Sequence, residues 1–233
     1  MLDKIPFNKI LFLDIETVPE SEYWDDLSEN LQKLWTEKTQ WQRKDEVSPS
    51  EFYNDRGGIM AEFGKIVCIS CGIILDNGKF RVKSFYGHNE QYLLQDFADL
   101  LETKFFTPQH ILCAHNGKEF DFPFIARRMI VNGIKLPMIL NLYGKKPWEV
   151  NHLDTMELWK FGDYKHYTSI KLLAEILGIP TPKDDIDGSE VSHVYYKEND
   201  LERIKIYCEK DTLTVAQIFR KLRYESLLEV EKE

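Results

Sequence analysis

The alternation of apolar and polar positions predicts an α/β protein built on a buried strand near the start of the sequence. Residues 10–16, Ile-Leu-Phe-Leu-Asp-Ile-Glu, form a nearly continuous apolar run, which is typical of a strand covered on both faces. Because strand side chains alternate, Asp14 and Glu16 point to the same side at its end. Such neighbouring carboxylates lose hydration and repel each other, and a divalent cation is the natural compensation. The alternative is that both lie in a solvated loop after the strand.

The pattern that follows predicts a mixed sheet. Residues 66–75 and 80–86 are expected to form an antiparallel hairpin, because Asp76-Asn77-Gly78 between them is a turn sequence. Apolar residues recur at helical spacing over 89–102, and 111–114 is a short apolar strand. A helix between strands implies a crossover connection, and therefore a sheet with both parallel and antiparallel neighbours.

Residues 19–64 interrupt this rhythm with a long charged segment. The spacing of its apolar residues predicts an amphipathic helix from about Glu22 to Trp41; these residues are Trp24, Leu27, Leu31, Leu34 and Trp35. Arg56-Gly57-Gly58 then breaks the chain. We interpret 19–64 as a helical insertion within a single domain that spans 1–233, packed beside the end of the first strand. An added structural hairpin is the alternative interpretation.

A second polar cluster follows the strand at 111–114. Pro123 suits the first turn of a helix, so Asp121 is expected at or just before a helix N-terminus. A simple helix cap would explain Asp121 equally well, and Asn116 could be only a turn residue. A short strand and the start of a helix are predicted over 150–159, and another helix over 168–178.

The last helix carries an aspartate on an apolar stripe. Asn199 and Glu202 form a capping pattern, and residues three and four apart then define the stripe: Leu201, Ile204, Cys208, Asp211, Val215, Ile218 and Leu222. An ionised Asp211 facing the core needs compensation, and Tyr207 lies one turn earlier, so both side chains can reach one site. The alternative is that the stripe is exposed at that point.

Composition and net charge are compatible with several classes of protein function. The chain has 233 residues, of which 43% are hydrophobic, which is enough for a substantial core. Its four cysteines lie in apolar patterns, as expected for reduced thiols in a cytoplasmic protein, and no signal peptide or membrane span is apparent. The net charge is -9, but residues 19–64 hold 11 acidic and 5 basic residues, a net of -6. Acidity therefore does not exclude a nucleic-acid partner.

Three segments together resemble the tyrosine-type DEDD exonucleases, in particular the 3′–5′ exonuclease domain of B-family DNA polymerases. They are Asp14-Ile15-Glu16-Thr17, Asn116 through Asp121, and Tyr207-Cys208-Glu209-Lys210-Asp211. The resemblance covers roughly residues 8–222 apart from the insertion. Because no polymerase domain fits in this length, we expect a free-standing member.

The resemblance implies a ribonuclease H-like fold, with a mixed five-stranded sheet flanked by helices, and two divalent metal ions, Mg²⁺ or Mn²⁺. Asp14 would contact both ions, Glu16 and Asp211 would complete one site, and Asp121 would hold the second. Tyr207 would orient the attacking water. Residues expected to contact the 3′-terminal nucleotide are Thr17, Asn116 and Phe120, with Phe122 as an alternative to Phe120.

The expected function is metal-dependent 3′–5′ exonuclease activity on single-stranded DNA, with release of nucleoside monophosphates. Basic residues that could contact the strand are Lys118, Arg127, Arg128, Lys165 and Lys171, although each could be merely a solvated helix charge. RNA is the main rival substrate, because no clear reader of a 2′-hydroxyl is visible. A non-catalytic nucleic-acid-binding protein that retains the metal site, or a purely structural interaction module, are the alternatives from other classes.

Overall fold

A computed structural model describes residues 2–43, 47–163, 165–180 and 186–228. It confirms the predicted mixed five-stranded sheet, whose strand order is β3-β2-β1-β4-β5. The strands are β1 (Ile10–Pro19), β2 (Gly64–Ile74), β3 (Phe80–Tyr86), β4 (Ile111–Ala114) and β5 (Leu153–Asp154). β1, β2 and β3 run antiparallel to one another in succession, whereas β4 runs parallel to β1 and β5 runs parallel to β4.

Helices cover both faces of this sheet. They are α1 (Glu29–Thr39), α2 (Pro49–Arg56), α3 (Glu90–Lys104), α4 (Asp121–Val131), α5 (Thr155–Lys160), α6 (Ile170–Ile176), α7 (Val191–His193) and α8 (Leu201–Leu222). A π-helical turn, Val194–Glu198, continues α7. Among the described helices, none is both long enough and apolar enough to span a bilayer.

Side chains of β1 divide between the two faces, as the alternation rule requires. Leu11, Leu13 and Ile15 join α3 and α4 in the larger core. Ile10 and Phe12 point the other way and pack with residues of α8. Since Asp14 and Glu16 continue this second set, α8 lies on the same face of the sheet as the two carboxylates.

The segment between β1 and β2 differs from its prediction. The helix expected from about Glu22 begins only at Glu29, because the Ser28 hydroxyl caps it by accepting the backbone N–H of Leu31 at 3.3 Å. Residues Trp24–Asp26 form a 3₁₀ turn instead. Leu31 and Leu34, expected on the apolar stripe, are exposed.

A small separate core nevertheless organises this segment. Trp35 is fully buried and contacts Tyr53 and Phe63 in edge-to-face geometry, with ring centroids 5.3 and 4.9 Å apart. Gly57 and Gly58 then pass so close to Pro19 that a Cβ on either would lie 3.2–3.3 Å from its ring. The segment therefore packs against the end of β1, where the carboxylates are.

Two further details concern α8 and the cysteines. The N-cap of α8 is Asp200, which accepts the N–H of Arg203 at 3.0 Å, and not Asn199 as predicted. Asn199 directly precedes this N-cap residue. Its backbone is left-handed, with φ of 53°, which is not the extended conformation typical of an N-cap. All four cysteines are buried free thiols, as expected for small core residues.

Candidate active site

Four carboxylates converge where β1, α4 and α8 meet. Asp14 and Glu16 lie within β1, Asp121 is the first residue of α4, and Asp211 lies in the middle of α8. Glu16, Asp121 and Asp211 are buried, and Asp14 is partly buried. The solvated-loop alternative for the first pair and the exposed-stripe alternative for Asp211 are both excluded by this burial.

The carboxylates of the cluster lie close to one another, and both burial and the neighbouring like charges raise the pKa values of Asp14, Glu16 and Asp121. Burial raises the pKa of Asp14 well above its usual value, and the charges of Glu16, Asp121 and Asp211 raise it further. Burial and the charge of Asp211 likewise raise the pKa of Glu16. Burial raises the pKa of Asp121 to about 8. Without cations, burial and the neighbouring like charges therefore favour the protonated forms of these carboxyl groups.

Asp121 does not act as the cap of α4. The N-cap position is Phe120, and no side chain bonds to the helix end there. Instead, the Asp121 carboxylate accepts a hydrogen bond from the backbone N–H of Ile15, on β1. This contact ties the start of α4 to the strand that carries Asp14 and Glu16.

Tyr207 lies beside Asp211, as the four-residue spacing predicts. Its hydroxyl is hydrogen-bonded to the Asp211 carboxylate, and burial together with the charges of Asp211, Glu16 and Asp14 raises its pKa. The phenol therefore stays protonated. Lys171, on α6, places its ammonium 5.7 Å from the centre of the Tyr207 ring, and its charge lowers the pKa of Glu16 against the larger raising effects.

Cys208 takes part in the cluster, although the sequence places it only on the apolar stripe. Its thiol donates to the backbone oxygen and to Oδ2 of Asp14, each at 3.4 Å. One ligand atom from each of Asp14, Glu16 and Cys208 lies within 4.8 Å of the other two. Burial and the neighbouring thiol of Cys68 raise the pKa of Cys208, so its sulfur stays protonated and orients Asp14. The available ligand atoms are therefore carboxylate oxygens, which suit Mg²⁺ or Mn²⁺.

Asp154 is an important residue that the sequence analysis missed. It ends β5, is 2% exposed, and its carboxylate accepts four backbone N–H groups. Two of them, from Asn116 and Lys118 at 2.9 and 3.1 Å, belong to the loop between β4 and α4. The other two cap α5. In the sequence, the one signal for this positioning role was that Asp154 lies between a predicted short strand and the start of a predicted helix.

The residues expected to contact the 3′-terminal nucleotide differ in burial and in backbone conformation. Thr17 follows a shift in the β1–β2 register between positions 16 and 17, and such bulges often re-aim side chains beside active sites. Asn116 has a left-handed backbone, with φ of 62°, which turns the loop toward α4. Phe120 is half-buried, with its ring 5.3 Å from that of Phe124. Phe122 is fully buried, so the expectation that it could contact a base is wrong.

The basic residues also differ from one another. Arg128 is 4% exposed and pairs with Glu90 and Glu20, at 2.6 and 2.8 Å, so its expected contact with the substrate strand is wrong. Lys118 pairs with Glu157 at 2.7 Å. The remaining candidates are exposed: Arg127, Lys165 and Lys171.

Comparison with known proteins places this geometry in a family. Residues 59–229 match the family described as "Predicted 3'-5' exonuclease related to the exonuclease domain of PolB". The chain belongs to this family. It is accordingly a hydrolase of the 3′–5′ exonuclease type. The matched range contains Asn116, Asp121, Tyr207 and Asp211, and it begins after β1, so it does not include Asp14 and Glu16.

A solved structure agrees on the fold. The family B DNA polymerase of the hyperthermophilic archaeon Pyrobaculum calidifontis superposes with a TM-score of 0.54 at 17% sequence identity. The alignment covers 89% of this chain and 24% of the polymerase, so this chain corresponds to about a quarter of that protein. This similarity bears out the ribonuclease H-like fold. No curated protein matches the sequence.

Proposed function

We propose that the protein is a metal-dependent 3′–5′ exonuclease that hydrolyses the terminal phosphodiester of single-stranded DNA and releases nucleoside monophosphates. The observation that supports this most is the group of four converging carboxylates, three of them buried, whose like charges raise one another's pKa. A fold retains such a costly arrangement when a bound cation supplies the compensating charge.

We infer that the four carboxylates would hold two divalent ions. Asp14 is central to the cluster and would be shared between them, with Glu16 and Asp211 completing one site and Asp121 the other. Bound cations of this kind stabilise charge on the attacking and leaving oxygens of a phosphodiester together. The protonated thiol of Cys208 would hold Asp14 in place, and the N–H of Ile15 would do the same for Asp121.

Tyr207 would orient the water that attacks the phosphorus atom. Because the phenol stays protonated and its hydroxyl is bonded to Asp211, it serves as a fixed hydrogen-bonding group and not as a general base. Lys171, close to the Tyr207 ring, is positioned to contact a phosphate of the substrate. Thr17, Asn116 and Phe120 would contact the last nucleotide.

Activity on labelled strands tests the proposal. The protein would be incubated with single-stranded DNA or matching RNA, each labelled at the 5′ end, with Mg²⁺, Mn²⁺ or a chelator. We expect a ladder that shortens from the 3′ end, requires metal, and disappears with Asp14→Asn. Comparing the two ladders ranks DNA against RNA, which is the rival substrate.

Two controls separate the alternatives. Isothermal titration with Mn²⁺ shows whether the carboxylates bind metal independently of catalysis. Metal binding without cleavage of either strand would contradict the proposal and favour a non-catalytic binding protein. Cleavage that continues in the chelator or in Asp14→Asn would show that a contaminating nuclease or another site is responsible.

A further inference from the structure

A mainly apolar hollow on the described surface lies away from the carboxylates. It has a volume of about 480 Å³ and lies between the sheet and the C-terminal end of α3. Its floor is apolar and includes Leu11, Ile73, Leu100 and Phe105. Cavities of this size are typical of sites that bind small ligands or short peptide segments.

The position of the hollow separates it from the proposed chemistry. Leu11 belongs to the core on the α3 side of the sheet, whereas Asp14 faces α8. Leu11 also precedes Glu16 by five residues of β1, which corresponds to roughly 17 Å along a strand. An occupant of the hollow would therefore leave the carboxylate cluster open.

Three cations surround this apolar floor. Arg81 and Lys83 project from β3, the outermost strand of the sheet, and Lys104 ends α3. All three are exposed, and none forms an ion pair with any residue that the structure describes. Asp76 is the one carboxylate among the lining residues.

Several basic side chains elsewhere on the described surface do have acidic partners, for example Lys118 with Glu157 and Arg203 with Glu198. Three cations around one apolar hollow, one of which (Lys83) also lies 4.5 Å from the centre of the Phe85 ring, form a local site for a ligand that is both acidic and apolar, in a chain of net charge -9.

We propose that this hollow docks an acidic peptide segment of a partner protein, with its apolar side chains on the floor and its carboxylates against Arg81, Lys83 and Lys104. A peptide fits better than a nucleic acid because the floor is mainly aliphatic, whereas single strands bind to exposed aromatic rings. Phe105, the aromatic residue of the floor, is buried. The proposal is independent of the nuclease activity.

The test uses fluorescence anisotropy with a short labelled peptide in which aspartate alternates with leucine and phenylalanine. Two companion peptides replace the apolar residues by serine or the aspartates by asparagine. We expect the first peptide to bind, with a Kd that rises with salt, and each companion to bind at least about tenfold more weakly, because both contacts are needed.

Charge reversal then locates the binding. Arg81→Glu with Lys83→Glu should weaken binding by about tenfold or more, and Lys104→Glu, on a different element, by a few-fold. Lys135→Glu with Lys145→Glu is the matched control, because both lysines are exposed elsewhere, neither forms an ion pair with a residue that the structure describes, and the charge change is identical. Nuclease rates and thermal melting of all variants should match the wild type.

Three outcomes would overturn the proposal. One is equal binding of the serine peptide, which would leave only a charge effect. Another is equal weakening by the control pair. The last is displacement of the peptide by single-stranded DNA whose own binding is lost in the Arg81→Glu and Lys83→Glu variant, which would make the hollow a nucleic-acid surface.

Discussion

Two regions of this protein bury charged side chains, and they do so in opposite ways. Glu90 and Arg128 are 8% and 4% exposed, and their charges are matched within the fold. Arg128 donates to both oxygens of Glu90, to Glu20 and to the backbone oxygen of Ala61. Glu90 also accepts from the N–H of Ile66 and from Asn132. In the carboxylate cluster, by contrast, the buried charges have one sign.

This difference separates a structural role from a functional one. The Glu90–Arg128 network joins α3, α4 and β2 to the end of the 19–64 segment, and its charges need nothing from outside. In the cluster of Asp14, Glu16, Asp121 and Asp211, burial and the neighbouring carboxylates raise the pKa of Asp14 and Glu16, so a bound cation would relieve the repulsion between like charges. Burial alone therefore does not identify a functional charge; several buried charges of the same sign at one place are the stronger indication.

The largest expected effect comes from neutralising the cluster. Asp14→Asn or Asp211→Asn should lower kcat by at least about 10³-fold, or roughly 4 kcal/mol, because each removes a charge that holds cations in the transition state. Exonuclease rates on labelled DNA, with circular dichroism to verify folding, measure this. Glu90→Gln is the matched control and should retain the wild-type rate per folded molecule. A loss of less than tenfold in both aspartate variants would contradict the assignment.

Breaking the internal pair should affect stability instead. Arg128→Met leaves Glu90 buried without its cation, and we expect the free energy of unfolding to fall by roughly 3–5 kcal/mol. Urea unfolding measures the change. Adding Glu90→Gln to this variant should recover part of the loss, since no unpaired charge then remains. If Arg128→Met lowered catalysis with unchanged stability, Arg128 would belong to the active site after all.

Asp154 lies between these extremes, because it positions the loop at 116–118 without belonging to the cluster. Asp154→Ala removes four hydrogen bonds and should lower kcat by about 10–100-fold. Asp154→Asn keeps one acceptor oxygen and should recover most of the rate. Steady-state kinetics would separate kcat from KM. Equal damage by both substitutions would indicate that the charge of Asp154, and not its hydrogen bonds, is what matters.

Local patterns were sufficient for much of the fold. The bounds of β3 and β4 agree with the predictions of 80–86 and 111–114, because a turn at Gly78 and a short apolar run define them locally. Local spacing also predicted that Asp14 and Glu16 share one side of a strand and that Tyr207 and Asp211 can reach one site from a helix, whereas the meeting of these segments with Asp121 was implied by the family resemblance.

Errors arose where a distant partner decides the outcome. Arg128 has the appearance of a surface helix residue until Glu90, 38 residues earlier in the chain, is known to face it. Asp154 gains its role from a loop about 38 residues earlier. The helix expected from Glu22 failed for a local reason: the Ser28 cap outweighed the apolar spacing before it. Local sequence patterns therefore do not predict which charged residues pair when they lie far apart in the chain.

The smallest expected effect is a gain of stability, and it contrasts the two regions most directly. The pKa of Asp121 is raised to about 8 from an ordinary 3.8, so the folded protein binds this proton more tightly than the unfolded chain does. Its contribution to stability is fully present below about pH 4 and is lost as the pH rises through about 8. In chelator, Asp121→Asn should therefore be more stable than the wild type at pH 8, by roughly 1–2 kcal/mol, and the difference should vanish once the pH falls to about 4. Urea unfolding at the two pH values measures this, and Mg²⁺ should stabilise the wild type more than the variant.

Glu90→Gln should show no gain in the free energy of unfolding at either pH, because the Glu90 carboxylate is already paired with Arg128. If Asp121→Asn destabilised the metal-free protein at pH 8, the cluster would have an internal counter-charge, and the contrast between the regions would fail.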